Sequence, residues 1–486
     1  MAMATMRNGR MTGEMQGTDR RADDRRANDP QAGDRQAQPR GAGRHGAMRG
    51  LLLAGVAGMV LAGCDTREVI LPGEREDLRA VMSDQQPGDV TEAPQDRSAP
   101  IALPAAQANA EWTQRAGTPA TRVAHPALGA QPQRIFSTGI GQGDQRKARI
   151  TADPVVGGGR VFTLDSEATV SAVSPSGELL WQTSLVPPQD NGGDASGGGL
   201  AYGRGKLYVA SAFGTLTALD PATGGQVWQQ DLGMTGNASP TVHDDLVYLV
   251  AGDRLGMALD AETGRIRWQV NAAPDVNNIN GGPAPAVTDT YAVFGFGSGV
   301  VQGTFRQGGL ARWNTPVVGR RFGFARANVG DITGDPVVVG DTVYVSNNSG
   351  RLAALSIDDG DARWTAKEGA ASAVWPAGGS LFVISDRNEL LRLDAATGER
   401  IWGTELPFFV KSRARKQKEI FAHHGPIVAG GRVIVASNDG LIRFYDPVSG
   451  AETGGLEVPG GATTAPVVAG GTLYVVSAKG VLHAWR

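Results

Sequence analysis

One phrase recurs along this chain and limits what it can fold into. Asp220-Pro221-Ala222-Thr223-Gly224 is followed four residues later by Trp228, Asp260-Ala261-Glu262-Thr263-Gly264 by Trp268, and Asp394-Ala395-Ala396-Thr397-Gly398 by Trp402. Looser copies end at Trp181, Trp313 and Trp364. A period of roughly 40–50 residues is the length of one four-stranded propeller blade. The grammar inside each copy agrees. A Pro-x-Val step opens it, alternating apolar runs such as Leu207-Tyr208-Val209-Ala210 and Leu216-Thr217-Ala218-Leu219 follow, and Gly or Asp turns separate them. Alternation marks half-buried strands. In the turn, Asp accepts backbone N–H groups and Gly supplies a positive φ. The 69 glycines and 27 prolines of the 486 residues suit many short strands joined by turns.

Seven repeats can be laid end to end: Pro154–Trp181, Leu200–Trp228, Pro240–Trp268, Pro285–Trp313, Pro336–Trp364, Pro376–Trp402 and Pro426 to about Gly454, the last without a tryptophan. An eighth begins at Pro466 and stops at Arg486, one strand short. The missing strand lies upstream. Gln133 to Ile140 matches the blade-ending segment Leu180 to Leu185, with Phe136 in the tryptophan slot. The fold class is therefore all-β, an eight-bladed β-propeller with four-stranded antiparallel blades, closed by an N-terminal strand that removes an exposed edge. Two copies depart from the pattern. The fourth lacks the Asp-x-x-Thr-Gly turn, and the sixth has Asn388 where a turn glycine is usual.

The N-terminal part is of a different kind. Residues 1–47 are polar and poor in bulky apolar residues, which predicts a disordered extension, or no extension at all if Met48 is the true start. Residues 48–63 form a secretion signal, with a basic flank at Arg49 and then a short apolar run from Leu51. The run closes in Leu61-Ala62-Gly63-Cys64, which resembles a bacterial lipobox. That resemblance implies cleavage before Cys64 and lipidation of its thiol. Cys64 is the only cysteine, so no disulfide forms within one chain. Residues 64–133, rich in Pro, Ala, Gln and Asp, read as a flexible tether between membrane and propeller, which then occupies 134–486.

The Asp-x-x-Thr-Gly-x-x-x-Trp grammar resembles quinoprotein-type (PQQ-like) repeats, and no Gly-His…Trp-Asp pairs of the WD40 kind occur. Lipobox, tether and eight compact blades together resemble the BamB lipoproteins of the β-barrel assembly machinery. The resemblance implies a non-catalytic scaffold without cofactor, lipid-anchored at the outer membrane on the periplasmic side. Its partners would be a BamA-like barrel-inserting subunit, other assembly lipoproteins and unfolded outer-membrane proteins. Asp65, directly after Cys64, resembles an inner-membrane retention signal, which makes the inner membrane the other candidate. The family's partner-binding pattern, Arg-(Leu/Ile)-x-Asp-(Val/Ile)-Asp-x-x-Pro, corresponds here to Asn328 to Pro336. Asp331, Ile332 and Pro336 match, Asn328 and Thr333 depart from it, and Arg326 is a substitute for the missing arginine. The alternative is a PQQ-dependent quinoprotein dehydrogenase. Such enzymes often carry a disulfide of adjacent cysteines beside the quinone, which a single cysteine cannot make, and long insertions that this chain lacks.

Charge is nearly balanced, with 46 Lys+Arg against 49 Asp+Glu, so no nucleic-acid partner is expected. One local exception stands out. Lys411, Arg413, Arg415, Lys416 and Lys418 cluster between repeats six and seven, bordered by Phe408-Phe409 and Ile420-Phe421. This is a solvated loop or a contact for an acidic partner or anionic lipid. The Gly-rich run Asn191 to Gly199 lacks the Lys-Ser/Thr of a phosphate cradle, and His423-His424 has no third histidine at ligand spacing, so no metal site is expected.

Overall fold

A computed structural model describes residues 96–275, 282–319, 329–370 and 372–486. Among them, thirty-two strands form eight four-stranded antiparallel sheets. The first blade is β2 (Val155–Gly157), β3 (Arg160–Leu164), β4 (Thr169–Val173) and β5 (Leu179–Ser184). Blade two holds β6–β9 (Gly198–Asp231), blade three β10–β13 (Thr241–Asn271) and blade four β14–β17 (Ala286–Pro316). Blade five holds β18–β21 (Val337–Ala366), blade six β22–β25 (Trp375–Glu405) and blade seven β26–β29 (His423–Glu457). Blade eight takes β30 (Val467–Ala469), β31 (Thr472–Ser477) and β32 (Val481–Trp485) from the C-terminus. Its outer strand is β1 (Arg134–Gly139), antiparallel to β32, and backbone bonds between Gln133 and Arg486 continue the pairing. The ring is closed by its leading strand, as the sequence implies.

The recurring phrase acts as a staple between neighbouring blades. Asp220 Oδ1 accepts the N–H groups of Ala222 and Thr223, each at 2.9 Å, and the Thr223 hydroxyl at 3.0 Å. Gly224 closes the turn at φ +73°, and a Cβ there would lie 2.5 Å from the Trp181 ring of the preceding blade. The indole N–H of Trp181 donates to the Pro221 carbonyl in that same turn. Trp228, Trp268, Trp313, Trp364 and Trp402 each repeat the bond to the turn of the next blade. Each outer strand carries a register shift near its start, which re-aims the side chain that follows. The β1–β32 pair has the same shift, between Arg134 and Phe136, and Phe136 packs on Gly177 of blade one.

Both irregular repeats keep the geometry by other means. In blade four, Gly309 turns at φ +67° and donates to the Phe305 carbonyl without any aspartate. In blade six, Asn388 itself takes φ +59°, the left-handed region it tolerates better than most residues. Blade seven has Gly454 in the tryptophan slot, with no atom within 4 Å of where its Cβ would be. The reason is topological. Blade eight is closed by a strand from the other end of the chain, so it has no turn of this kind to staple.

The expected tether needs correction over residues 96–133, which pack on the ring. Residues 109–130 circle the channel and meet the innermost strand of each blade in turn. Asn109 bonds the Val468 carbonyl and accepts from Gly470 in blade eight, and Trp112 bridges Val156 in blade one. Gln114 bridges Ala201 in blade two and accepts the Val242 N–H of blade three. Carbonyls of Pro119 and Ala120 take Val287 and Val338 of blades four and five. Arg122 donates to the Ala373 and Val374 carbonyls of blade six, and Pro126 and His125 accept from Gly430 and Gly431 of blade seven. Inner strands leave backbone groups unpaired on the channel side, and this strap satisfies one blade after another. Proline and alanine suit such a path because it follows no regular period.

Candidate functional site

The strap closes one end of the channel and forms the floor of a funnel open at the other. The cavity measures about 730 Å³. Its walls come from the strap, from the segment leading into blade one, and from blades five to eight. Asp153 and Asp335 each stand one residue before a proline that opens a blade, and each bridges two blades. Asp153 Oδ1 accepts the Ala465 N–H at 2.7 Å, and Asp335 Oδ1 accepts the Ala284 N–H at 2.8 Å. Their second oxygens both face the Arg115 guanidinium of the strap, at 3.5 and 3.2 Å. Further bonds join blades around the mouth, among them Thr333 to the Ala370 carbonyl, Ser372 to Gly425 and Thr463 to Ile150.

The charges here hold one another. Asp335 raises the Arg115 pKa above its ordinary value. Burial pushes the Asp153 carboxyl up despite Arg115 nearby. Burial also lowers the Arg122 pKa; that guanidinium lies over the Trp375 ring, 5.4 Å from its centroid. On the wall, burial, His423 and Arg115 push His424 down to about 4. His423 spends its nitrogens on the Ser437 hydroxyl and the Pro407 carbonyl. The arrangement offers hydrogen-bonding groups in a concave polar mouth, with its strongest charges already paired.

The predicted site residues fall into three groups. Cys64, Arg326 and Asn328 lie outside the described residues. Asp331 and Ile332 are buried, at 3% and 2% exposure, and Ile332 packs between blades four and five with Val293, Val317 and Val343. Lys411, Arg413, Arg415, Lys416 and Lys418 are all exposed. They stand in the connection between blades six and seven. Sequence reasoning missed Trp112, Arg115 and Arg122. The signal available was Trp112, the one tryptophan upstream of the repeats.

A ring of eight four-stranded blades stapled by tryptophan to Asp-x-x-Thr-Gly turns is a PQQ-like repeat propeller. Known structures share it. BamB from Moraxella catarrhalis superposes with a TM-score of 0.61 at 19% identity, covering 73% of this chain and 100% of that one. Quinohemoprotein alcohol dehydrogenase from Comamonas testosteroni gives 0.58 at 15% identity, covering 78% and 81%. At those identities the likeness concerns the fold. The sequence decides the family: the pattern described as outer membrane protein assembly factor BamB matches residues 166–404 and 411–486, and the chain belongs to that family. Relatives of that name include one from Shewanella oneidensis, 25% identical over 72% of this chain and 88% of its own length. Another, from Yersinia pestis, is 24% identical over 73% and 88%.

The shared fold raises the question of a quinone with calcium, and the funnel does not fit them. Two of its carboxylates, Asp153 and Asp335, already share the Arg115 guanidinium. Among the described residues no group of three His, Cys, Asp or Glu is placed to hold a metal ion.

Proposed function

We propose that this chain is a non-catalytic scaffold that assists assembly of outer-membrane β-barrel proteins by binding the barrel-inserting, BamA-like subunit. The family match along the blades carries the reading. The strap supports it, because it fills the channel end with the chain's own residues and leaves loops and blade edges as the surfaces on offer. Outer strands such as β9 (Gln226–Asp231) and β17 (Ala311–Pro316) present unpaired backbone edges, which suits β-augmentation by unfolded barrel strands. The lipobox at Cys64 makes the protein a lipoprotein, held on the periplasmic side of the outer membrane beside other assembly lipoproteins. Arg326, Asn328, Asp331 and Ile332 are the proposed partner-binding residues, of which Arg326 and Asn328 lie outside the described residues.

Crosslinking in intact cells followed by affinity capture of the chain tests this. Recovery of the barrel-inserting subunit is expected. Recovery of unrelated envelope enzymes instead, or a quinone chromophore with dye-linked alcohol oxidation after adding quinone and calcium, would overturn it.

A further inference from the structure

The connection between blades six and seven is built unlike a passive loop. Phe409 bridges Ile420, the Val410 N–H donates to the Glu419 carbonyl, and the Phe421 N–H donates to the Phe408 carbonyl at 2.8 Å. The result is a short two-stranded arm ending in a 3₁₀ turn at Ala414–Lys416. Its root is clamped. Asn388 donates to the Phe421 carbonyl at 3.0 Å, and His423 Nε2 meets the Pro407 carbonyl at 2.8 Å. The root of the arm is therefore tied to blades six and seven at the cavity wall.

Its surface combines two features. Lys411, Arg413, Arg415, Lys416 and Lys418 are exposed and form no ion pair among the described residues, and Glu419 is the only acidic residue between Phe408 and Phe421. Five cations against one carboxylate leave +4 on this arm, in a chain whose net charge is −3. Beside them, Phe409, Val410 and Ile420 are 39%, 39% and 41% exposed. Large apolar side chains left in water next to unpaired cations suit an interface where acyl chains begin below charged head groups. An acidic protein would satisfy the cations and leave the apolar trio unexplained.

We propose that this arm is a second membrane contact, which takes anionic phospholipid head groups while Phe409, Val410 and Ile420 enter the interface. The proposal rests on the reading that the chain works at a membrane surface, but not on the identity of its protein partner. The arm would then turn the side of the ring that carries blades six and seven toward the bilayer. Two weak signals together give stable orientation where either alone is reversible.

The test uses the full chain carrying Cys64→Ser, so that no acyl chain contributes. It is sedimented with vesicles of phosphatidylglycerol and phosphatidylethanolamine, and with vesicles of phosphatidylcholine. The expected result is at least a tenfold preference for the anionic vesicles, lost at 0.5 M salt. The triple variant Arg413→Gln/Arg415→Gln/Lys416→Gln should bind roughly a hundredfold more weakly, because each basic side chain near an anionic surface contributes about fivefold. Its melting temperature should be unchanged, since all three side chains lie in solvent. Phe409→Ser should weaken binding that salt alone does not remove. Equal binding to both vesicle types, or an unaltered triple variant, would overturn the proposal. So would displacement from anionic vesicles by micromolar polyglutamate without displacement by salt, which would assign the arm to an acidic protein. The outcome is independent of the crosslinking test, which reads the barrel-inserting subunit and not lipid.

Discussion

Replacing Trp112 by alanine separates a tether from a structural strap. Trp112 is 1% exposed, stacks on Trp375 with ring centroids 5.9 Å apart, and belongs to the core cluster that joins blades six, seven, eight and one. A buried tryptophan hides roughly 200 Å², worth about 5 kcal/mol at 25 cal/mol per Å². Measured large-to-small truncations of this kind cost about 3–5 kcal/mol. The folded region holds about 390 residues, so its unfolding entropy is about 0.8 kcal/mol/K, and a loss of 4 kcal/mol lowers Tm by roughly 5 °C. Neither the Trp112 nor the Trp375 indole N–H has a protein partner. Trp112→Phe therefore gives up area but no hydrogen bond, and should cost less than half as much. Thermal unfolding by circular dichroism reads both variants. Limited proteolysis with mass-spectrometric mapping should show cleavage between residues 100 and 130 appearing in Trp112→Ala well before the blades are cut. If Tm stays within 1 °C of the parent and the strap is cut equally fast in both proteins, the segment contributes nothing and the account of the channel floor fails.

Trp364→Phe removes the indole bond to the Ala395 carbonyl and should lower stability by about 1 kcal/mol in urea titration, whereas Gly398→Ala should cost more. The alanine must hold φ near +74° with its Cβ 2.5 Å from the Trp364 ring. Asp331→Arg places a long cation in a buried position and should lower Tm by several degrees; parent-like stability with lost partner capture would mark Asp331 as a contact. His424 titrates near 4 in the folded chain and near 6.5 unfolded, so the native state disfavours its proton. Stability is full above pH 6.5 and declines as pH falls from there through 4. His424→Leu should flatten that slope in urea midpoints measured across the range. His125 takes the Gly431 N–H on Nε2 and bonds the Pro104 carbonyl through Nδ1. His125→Ala should cost about 1–3 kcal/mol and speed hydrogen exchange at Gly430 and Gly431 before other blade turns.

The blades were legible because their information is local. Each turn writes its own aspartate, threonine and glycine, and each staple writes its tryptophan at a fixed distance behind them. Even the closing strand was readable, since Phe136 sits where a tryptophan would. The strap was not legible, because its partners are inner-strand backbone groups spread over the whole ring. A backbone carbonyl at Pro119 or Ala120 leaves no mark in the sequence when it accepts from Val287 or Val338. The funnel was hidden for the same reason. Asp153, Asp335 and Arg115 are far apart along the chain and meet only once the ring has closed. The burial of Ile332 likewise depends on Val293 and Val343 from two neighbouring blades, which no motif reports.

The seam between blades seven and eight brings these features into one argument. It is the seam where the tryptophan staple cannot exist, because blade eight borrows its outer strand. A ring with one weak seam would open there first. The strap crosses itself at that place. Gln107 donates to the His125 carbonyl and accepts from Ala127, so its inbound and outbound limbs are paired. The inbound limb holds blade eight through Asn109, at the Val468 carbonyl and Gly470. The outbound limb holds blade seven through His125 and Pro126, and Arg432 of that blade donates to the Gly129 and Ala130 carbonyls. From there the chain enters β1 and completes blade eight. The stretch that reads as loose linker thus supplies the cross-link that the repeat cannot supply for itself. This also explains why its composition escapes the blade grammar: it must follow the axis of the ring, where strands of eight blades converge and no two present the same neighbour.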